Sequence, residues 1–189
     1  MPARPKTTDA EIVEAARRLI ESRGRDGFSM NDVATAVGIR APSIYGRFKD
    51  RAGILHAVEL ELLAELAELV ANAVVADAPR ATLMAQSRAV RRFAQGGPNC
   101  YSLIFDIRTA KTEEGVAARS AALAPMMPSL AALVGKDDAF AAARVLVPFL
   151  NGFISMELAN AFHLGPGLDA AFEHGVDTIL RGLVRSKDV

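Results

Sequence analysis

The sequence predicts an all-α protein, and three observations carry that prediction. Apolar residues recur at i, i+3, i+4 and i+7 along most of the 189 residues. Strand-like alternation never persists for more than a few positions. Glycine and proline stand between the periodic stretches, as in Gly96-Gly97-Pro98, at Gly135 and in Gly165-Pro166-Gly167. About nine helices result: an amino-terminal three-helix group, then a long helix and a helical bundle. There is no fixed-period repeat.

The first helix carries Ile12, Ala16, Leu19 and Ile20 on one stripe and stops at Gly24. Thr8 and Glu11 ahead of it have capping-box spacing, a hydroxyl for one orphan amide and a carboxylate for another. A second start follows at Ser29-Met30-Asn31-Asp32, with Val33, Ala34 and Val37 inward and Gly38 as its end. The third helix is short. It has Pro42 in its first turn, where a missing amide is harmless, and buries Ile44 and Phe48. Asp50 caps a fourth helix, roughly 51–76, striped by Leu55, Val58, Leu62, Leu66 and Leu69. Further helices are expected near 80–95, 99–109, 113–124 with a proline-broken extension to 134, 138–163 and 168–185. Residues 1–55 and 56–189 are the expected domains.

Composition narrows the function classes. Hydrophobic residues make up 51% and charged residues 23%, which is globular. Lys/Arg and Asp/Glu are balanced at 22 each, but unevenly placed. Residues 1–55 hold ten basic and seven acidic side chains; the remainder holds twelve and fifteen. A basic front on an acidic body points to an anionic partner for the front. One cysteine, Cys100, excludes an intrachain disulfide, and three scattered histidines offer no zinc-ligand spacing, so neither metal nor cofactor is expected. The amino terminus lacks the apolar core of a secretory signal, and prolines interrupt the most apolar stretch, so a cytoplasmic protein without a membrane partner is expected.

Ala34, Gly38 and Ile44 form the most informative set. A helix-turn-helix needs a small residue where its helices cross, a residue tolerant of positive φ in the turn, and an aliphatic side chain pointing into the angle. Spacing alone leaves a plain helix hairpin equally open. The flanks tilt the reading toward DNA. The third helix exposes Arg40, Ala41, Ser43, Tyr45, Gly46 and Arg47, a basic and hydroxylic face suited to the major groove. Tyr45, Arg51 and Ser29 are assigned to phosphates, and Arg40, Ser43 and Arg47 to base edges or nearby phosphates; Ala41 and Lys49 complete the candidate DNA-binding set. Phe48 completes the helix-turn-helix core.

These residues resemble the DNA-binding domain of the TetR family of bacterial transcriptional regulators. Phe28 to Gly38 is similar to that family's second helix, Ser43-Ile44-Tyr45-Gly46-Arg47-Phe48 to its recognition helix, and Asp50 to Leu55 to the start of its fourth helix. Arg51 stands where lysine is usual, Arg47 where histidine is common, and Arg40 where a small hydroxyl residue usually caps the helix. The resemblance implies a homodimeric regulator, often a repressor, that binds a double-stranded operator and is released by a small molecule. Residues 144–183 also resemble a carboxy-terminal subtype marked by tryptophan, a histidine-glycine pair and a leucine-glutamate. Gly152 and Glu157 fit that subtype, but Asn151 replaces its histidine and the chain has no tryptophan.

The body, read physically, ends in two helices apolar on more than one face, which must be covered on all sides. A two-fold interface is one cover, with Phe153, Glu157, Phe162, Phe172, Val176, Ile179 and Leu183 as its candidates. Other helices of the same chain are the alternative. Pro125, Pro128 and Pro148 break helical pattern and open room for a small apolar effector. Candidate walls are Phe93, Tyr101, Phe105, Met126 and Met127, with Phe149, Phe153 and Met156. Asn151 and Glu157 would orient the ligand or satisfy each other. An enzyme is not expected, because Cys100 has no neighbouring base and Glu113-Glu114 fit helix-dipole capping. A helical-bundle enzyme or a scaffold that does not bind DNA is the alternative reading.

Overall fold

The structure, a computed structural model, describes residues 7–105, 112–163, 165 and 167–184. All regular elements among them are helical, which bears out the all-α expectation. They are α1 (Asp9–Arg23), α2 (Met30–Ala36), α3 (Ala41–Tyr45), α4 (Arg51–Asn72), α5 (Pro79–Gly96), α6 (Pro98–Ile104), α7 (Glu113–Leu123), α8 (Met127–Val134), α9 (Ala139–Leu158) and α10 (Leu168–Leu183). A 3₁₀ turn, Ala124–Met126, joins α7 to α8 around Pro125. With that proline-broken pair counted as one, the described helices match the expected nine.

Two compact units interleave along the chain. The first comprises Met1–Leu63 with Gly97–Ala118, and the second Ala64–Gly96 with Arg119–Val189. Helix α4 thus begins in one unit and ends in the other.

The first unit packs α1 on α2, α2 on α3 and α1 on α6. Its interior holds Ile12, Ala16 and Ile20 of α1, Val33 of α2, Ile44 of α3 and Ile54 and Val58 of α4, each with no exposed surface. Glu21 fastens α6 to α1. Its carboxylate accepts the Asn99 amide at 3.4 Å and the Cys100 amide at 3.0 Å, and its carbonyl accepts from the Asn99 side chain at 2.8 Å. An acid at that helix start also suits the dipole. Burial, and then Glu21 beside it, pushes the Cys100 thiol up to about 12. The buried thiol donates to the Arg17 carbonyl at 3.6 Å, adding to the α1–α6 contact.

The second unit packs α5 against α8, α9 and α10, with α9 also against α8 and α10. Leu83, Leu146, Ile154, Val176 and Leu180 are fully enclosed. Gln86, equally enclosed, donates to the carbonyls of Val70 at 3.2 Å and Pro125 at 3.0 Å. It ties the end of α4 to the proline break.

Several expected ends were too long. Helix α9 stops at Leu158, not 163, because Asn160 takes a positive φ of 51° and the Ala161 amide bonds back to Met156 at 2.8 Å. That is a Schellman-type end built on asparagine. Helix α4 stops at Asn72 rather than 76, and α3 at Tyr45 rather than Phe48. The expected 99–109 helix ends at Ile104 within the described chain; residues 106–111 lie outside it.

Candidate nucleic-acid interface

The reading head is set by local chemistry. Thr8 and Glu11 make the expected capping box on α1, the Thr8 amide donating to Glu11 at 2.7 Å. Ser29 and Asp32 make a second on α2. At the other end of α2, Gly38 has φ 71°, its amide bonds Thr35 at 3.2 Å, and the Ile39 amide bonds Ala34 at 3.0 Å. These two bonds define a Schellman turn, which needs a left-handed residue at its centre. The chain therefore leaves α2 at a fixed corner. Ile44 of α3 points back into that corner and is fully buried, and Ala34, at 4% exposure, is small where the helices meet. Phe48 follows α3 and is half-buried.

The outer face of α3 is largely open. Arg40, Ser43, Gly46, Arg47 and Lys49 are exposed and Tyr45 is 54% exposed, whereas Ala41, expected exposed, is half-buried. Arg40 occupies the cap position of α3 and provides no side-chain cap, as its replacement of a hydroxyl residue implied.

Three of the expected DNA contacts are already engaged by protein. Arg51 does not face outward. Its guanidinium donates to the Arg25 carbonyl, meets Asp26 at 3.2 Å and lies 4.7 Å above the Phe28 ring. It braces the α1–α2 loop to the start of α4. Arg47 meets Asp9 of α1 at 3.0 Å, its side chain only 25% exposed. Ser29 has both donors committed to Asp32, the amide at 2.8 Å and the hydroxyl at 2.5 Å. Those bonds hold the Asp32 carboxyl below its usual range, and its charge sits where a phosphate was expected. An open groove of about 1080 Å³ runs between α1 and the corner. Thr7, Glu11, Glu14 and Arg18 form one wall; residues 35–39, Ser43, Gly46 and Arg47 form the other.

The candidates in the body separate into distinct places. Phe172 and Val176, expected at a dimer interface, are 1% and 0% exposed within their own unit. Their stripe meets α5 and α9 of the same chain, which the amphipathic pattern alone does not reveal. Phe153 packs on Phe149, Phe162 and Phe172, with ring centroids 6.0, 4.8 and 5.3 Å away. Ile179 and Leu183 are half-buried, as are Phe93 and Met127. Tyr101 and Met126 are each 1% exposed, whereas Phe105 is 40% and Met156 46% exposed. Tyr101 stacks on Phe105 at 5.1 Å in the first unit. An open apolar recess of about 490 Å³ in the second unit is lined by Ala78, Pro79, Arg80, Ala81, Met84 and Leu133, none of them an expected wall residue.

Asn151 and Glu157 do not satisfy each other. Ser155 donates to Asn151 at 3.4 Å, while Glu157 receives Arg91 through both oxygens at 2.8 and 2.6 Å, with Gln95 at 3.1 Å. This belongs to a ladder that sequence reading missed. Along antiparallel α5 and α10, Arg80 pairs with Asp177, Arg88 with Glu173 through two bonds of 2.6 and 2.5 Å, and Arg91 with Asp169 at 2.7 Å. The signal was present: three acids recur every fourth residue at 169, 173 and 177. Hydrogen bonds from Arg91, Arg88 and Arg80 hold the carboxyls of Glu157, Glu173 and Asp177 below their ordinary range.

With this geometry in hand, the likenesses to known proteins are informative. The sequence model described as "Bacterial regulatory proteins, tetR family" matches residues 12–58, and that described as "Tetracyclin repressor-like, C-terminal domain" matches residues 83–179. The chain is 25% identical over 186 residues to the uncharacterised HTH-type transcriptional regulator Rv0681 of Mycobacterium tuberculosis, covering 97% of this chain and 85% of that protein. It is 30% identical over 100 residues to the HTH-type transcriptional repressor BdcR of Escherichia coli, covering 51% of each. A protein of unknown function from Rhodococcus sp. RHA1 superposes with TM-score 0.82 at 22% identity, covering 98% of this chain and all of that one, 100%. A TetR variant from Acinetobacter baumannii AYE, solved in complex with minocycline, superposes with TM-score 0.72 at 21% identity, covering 96% and 100%. The matched segments span both the corner built on Gly38 and the α5–α10 bundle, and the chain belongs to the TetR family, as a DNA-binding transcriptional regulator.

Proposed function

We propose that the chain is a ligand-responsive repressor that binds a palindromic operator as a homodimer, with residues 1–55 as reading head and 56–189 as effector and dimerisation body. One observation carries the reading: α3 is held outward by a fixed corner, with Ile44 buried behind it and Ser43, Tyr45, Arg40 and Lys49 exposed in front. A short helix so presented enters a major groove by its amino-terminal residues. Arg40, Ala41 and Ser43 face base edges, and Tyr45 and Lys49 face phosphates. Ser29 and Arg51 act indirectly, by fixing the corner and the α1–α2 loop.

The homodimer is supported by the apolar outer face of α9. Phe140 is 67% exposed, Val145 50% and Met156 46%. The stretches 113–134 and 139–158 are long and apolar enough to cross a membrane by length and composition, with only 17% and 28% of their apolar windows buried. Arg144 on the exposed face of α9 favours a second copy over lipid as the cover, and a cytoplasmic location. Phe153, Phe162, Ile179 and Leu183, half-buried in one chain, keep area to add to that interface.

A small apolar effector would act on the body near Phe149, Phe153 and Met156. The relative solved with minocycline supports a small molecule as the signal. The finer Trp-His-Gly subtype rests on Gly152 and Glu157, together with Phe172-Glu173 and the closing Arg181-Gly182-Leu183. An effector shifts the DNA-binding equilibrium only by its differential affinity for the two conformations, a coupling of ~1–3 kcal/mol in typical cases, or ~5–150-fold.

The test is selection of bound sequences from random duplex DNA by the purified chain. A palindrome with half-sites one helical turn apart, ~34–36 Å, is the expected result. Recovery of unselected sequence, or of a lone half-site, overturns the dimeric operator reading.

A further inference from the structure

The arginine next to the reading helix is held by an acid that DNA would have to displace. Arg47 donates to Asp9 at 3.0 Å from the corner to the first turn of α1. The arginine side chain is 25% exposed and the aspartate side chain 69%. The two ends of this pair are unequal: the arginine side chain is partly covered, though the residue as a whole is exposed, and the aspartate stands in solvent. The contact uses a single oxygen, and exposed pairs of that kind contribute only ~0–1 kcal/mol. The adjoining groove continues the same charge, with Glu11 and Glu14 on the α1 wall opposite Arg47. Glu11 is fixed there by its bonds to Thr8 at 2.7 and 3.2 Å, and Glu14 by Arg18 at 3.1 Å.

We propose that Asp9 gates Arg47: its carboxylate occupies the guanidinium in the free protein and is exchanged for a DNA phosphate when α3 enters the groove. The proposal rests on the DNA-binding reading above and adds the residue that limits it. A phosphate is a better partner than Asp9, because its contact releases condensed counterions as well as forming a charge-assisted hydrogen bond. Until the exchange occurs, the head presents one cation fewer to any duplex. Asp9 thereby restrains sequence-independent affinity, which derives almost wholly from phosphate neutralisation. The exchange needs side-chain rotation only, since Asp9 and Arg47 lie on separate elements and nothing covalent changes.

The experiment measures binding of the full-length chain to a short random-sequence duplex across a salt series. The four proteins are wild type, Asp9→Asn, Arg47→Ala and the double variant. Asp9→Ser repeats the test with a residue suited to the start of a helix. Asp9→Asn is expected to tighten binding ~2–5-fold at low salt, the worth of an exposed pair. The salt slope should stay as in wild type, because Arg47 neutralises the same phosphate in both complexes. In the Arg47→Ala background the same substitution should change neither quantity. Equal tightening in both backgrounds overturns the gate, since Asp9 would then act only as a negative charge near the duplex. No tightening in either also overturns it, and leaves the pair as a brace between α1 and the corner. If wild type and all variants fail to bind any duplex, the DNA-binding reading itself falls, a result distinct from both.

Discussion

The head and the body use arginine in opposite ways. In the head, Arg47, Arg23 and Arg51 each meet one aspartate oxygen, at 3.0, 3.2 and 3.2 Å. The aspartate side chains are 69%, 38% and 65% exposed. In the body, Arg91 meets both oxygens of Glu157, is only 8% exposed and lies 4.9 Å above the Phe172 ring. A one-point pair in solvent is exchanged at small cost, whereas a two-point pair under aromatic cover is not. Arg47 thus holds a replaceable contact in one unit and Arg91 a structural tie in the other, while Arg51, bonded also to the Arg25 carbonyl and stacked on Phe28, is a brace within the head. Substitutions in the two units should separate into effects on DNA affinity and effects on stability.

The largest effect is expected at Arg91. Arg91→Ala leaves Glu157 without its two-point partner and removes the cation from the Phe172 face. Breaking such a covered pair costs ~3–5 kcal/mol, and chemical denaturation should show it as an earlier midpoint. Replacing both Arg91 and Glu157 by methionine should recover most of the loss, because the buried charge goes with its partner. A loss below ~1 kcal/mol for Arg91→Ala would mean that the pair is as solvated as those of the head.

Tyr45 tests the other side of the contrast. Its ring is 54% exposed, so Tyr45→Phe should leave the unfolding midpoint unchanged. A hydroxyl bonded to a charged phosphate contributes ~1.5–3 kcal/mol, so DNA affinity should fall by ~10-fold or more. A shift in stability without a shift in affinity would place Tyr45 with the core instead.

Gly38 belongs to both kinds of effect. At φ 71° no atom beyond its two chain neighbours lies within 4 Å of where a Cβ would stand, so the cost of a side chain is conformational. Gly38→Ala should cost ~1–2 kcal/mol, with Gly38→Asn milder because asparagine tolerates the left-handed region. Equal costs for the two would mean that the corner relaxes out of its Schellman geometry.

What was legible in the sequence follows from range. The capping box at Thr8, the helix start at Ser29, the stop at Gly38 and the inward Ile44 depend on residues within a few positions of each other. Local spacing therefore predicts them. The orientation of Arg47 and Arg51 depends on Asp9 and Asp26, which lie 38 and 25 residues away. No periodicity encodes a partner at such distance, and both were expected to face DNA. The stripe holding Phe172 and Val176 announced burial without saying against what. Asn160 ended α9 by adopting a conformation usually left to glycine, so the helix was read five residues too long. The α5–α10 ladder was readable as acids at every fourth position, yet it emerges only when both helices are laid antiparallel.

The smallest effect is expected at Glu173, and its pH dependence is the more decisive part. Glu173 pairs with Arg88 through two bonds, but the side chains are 35% and 48% exposed, so solvent screens the pair. Glu173→Gln should cost under ~1 kcal/mol at neutral pH. The hydrogen bond from Arg88 lowers the carboxyl from its ordinary 4.5 in the folded chain. Above 4.5 the carboxylate is ionised in folded and unfolded chains alike, and its stabilisation is fully present. As pH falls below that value the unfolded chain takes up a proton first, and stability is lost until the folded carboxyl is protonated too. The gap between wild type and Glu173→Gln should therefore be flat above about pH 5 and close progressively in acid. Thermal unfolding of the two proteins across that range measures it. A gap that persists unchanged in acid would mean that Glu173 acts through packing on α5 rather than through its charge.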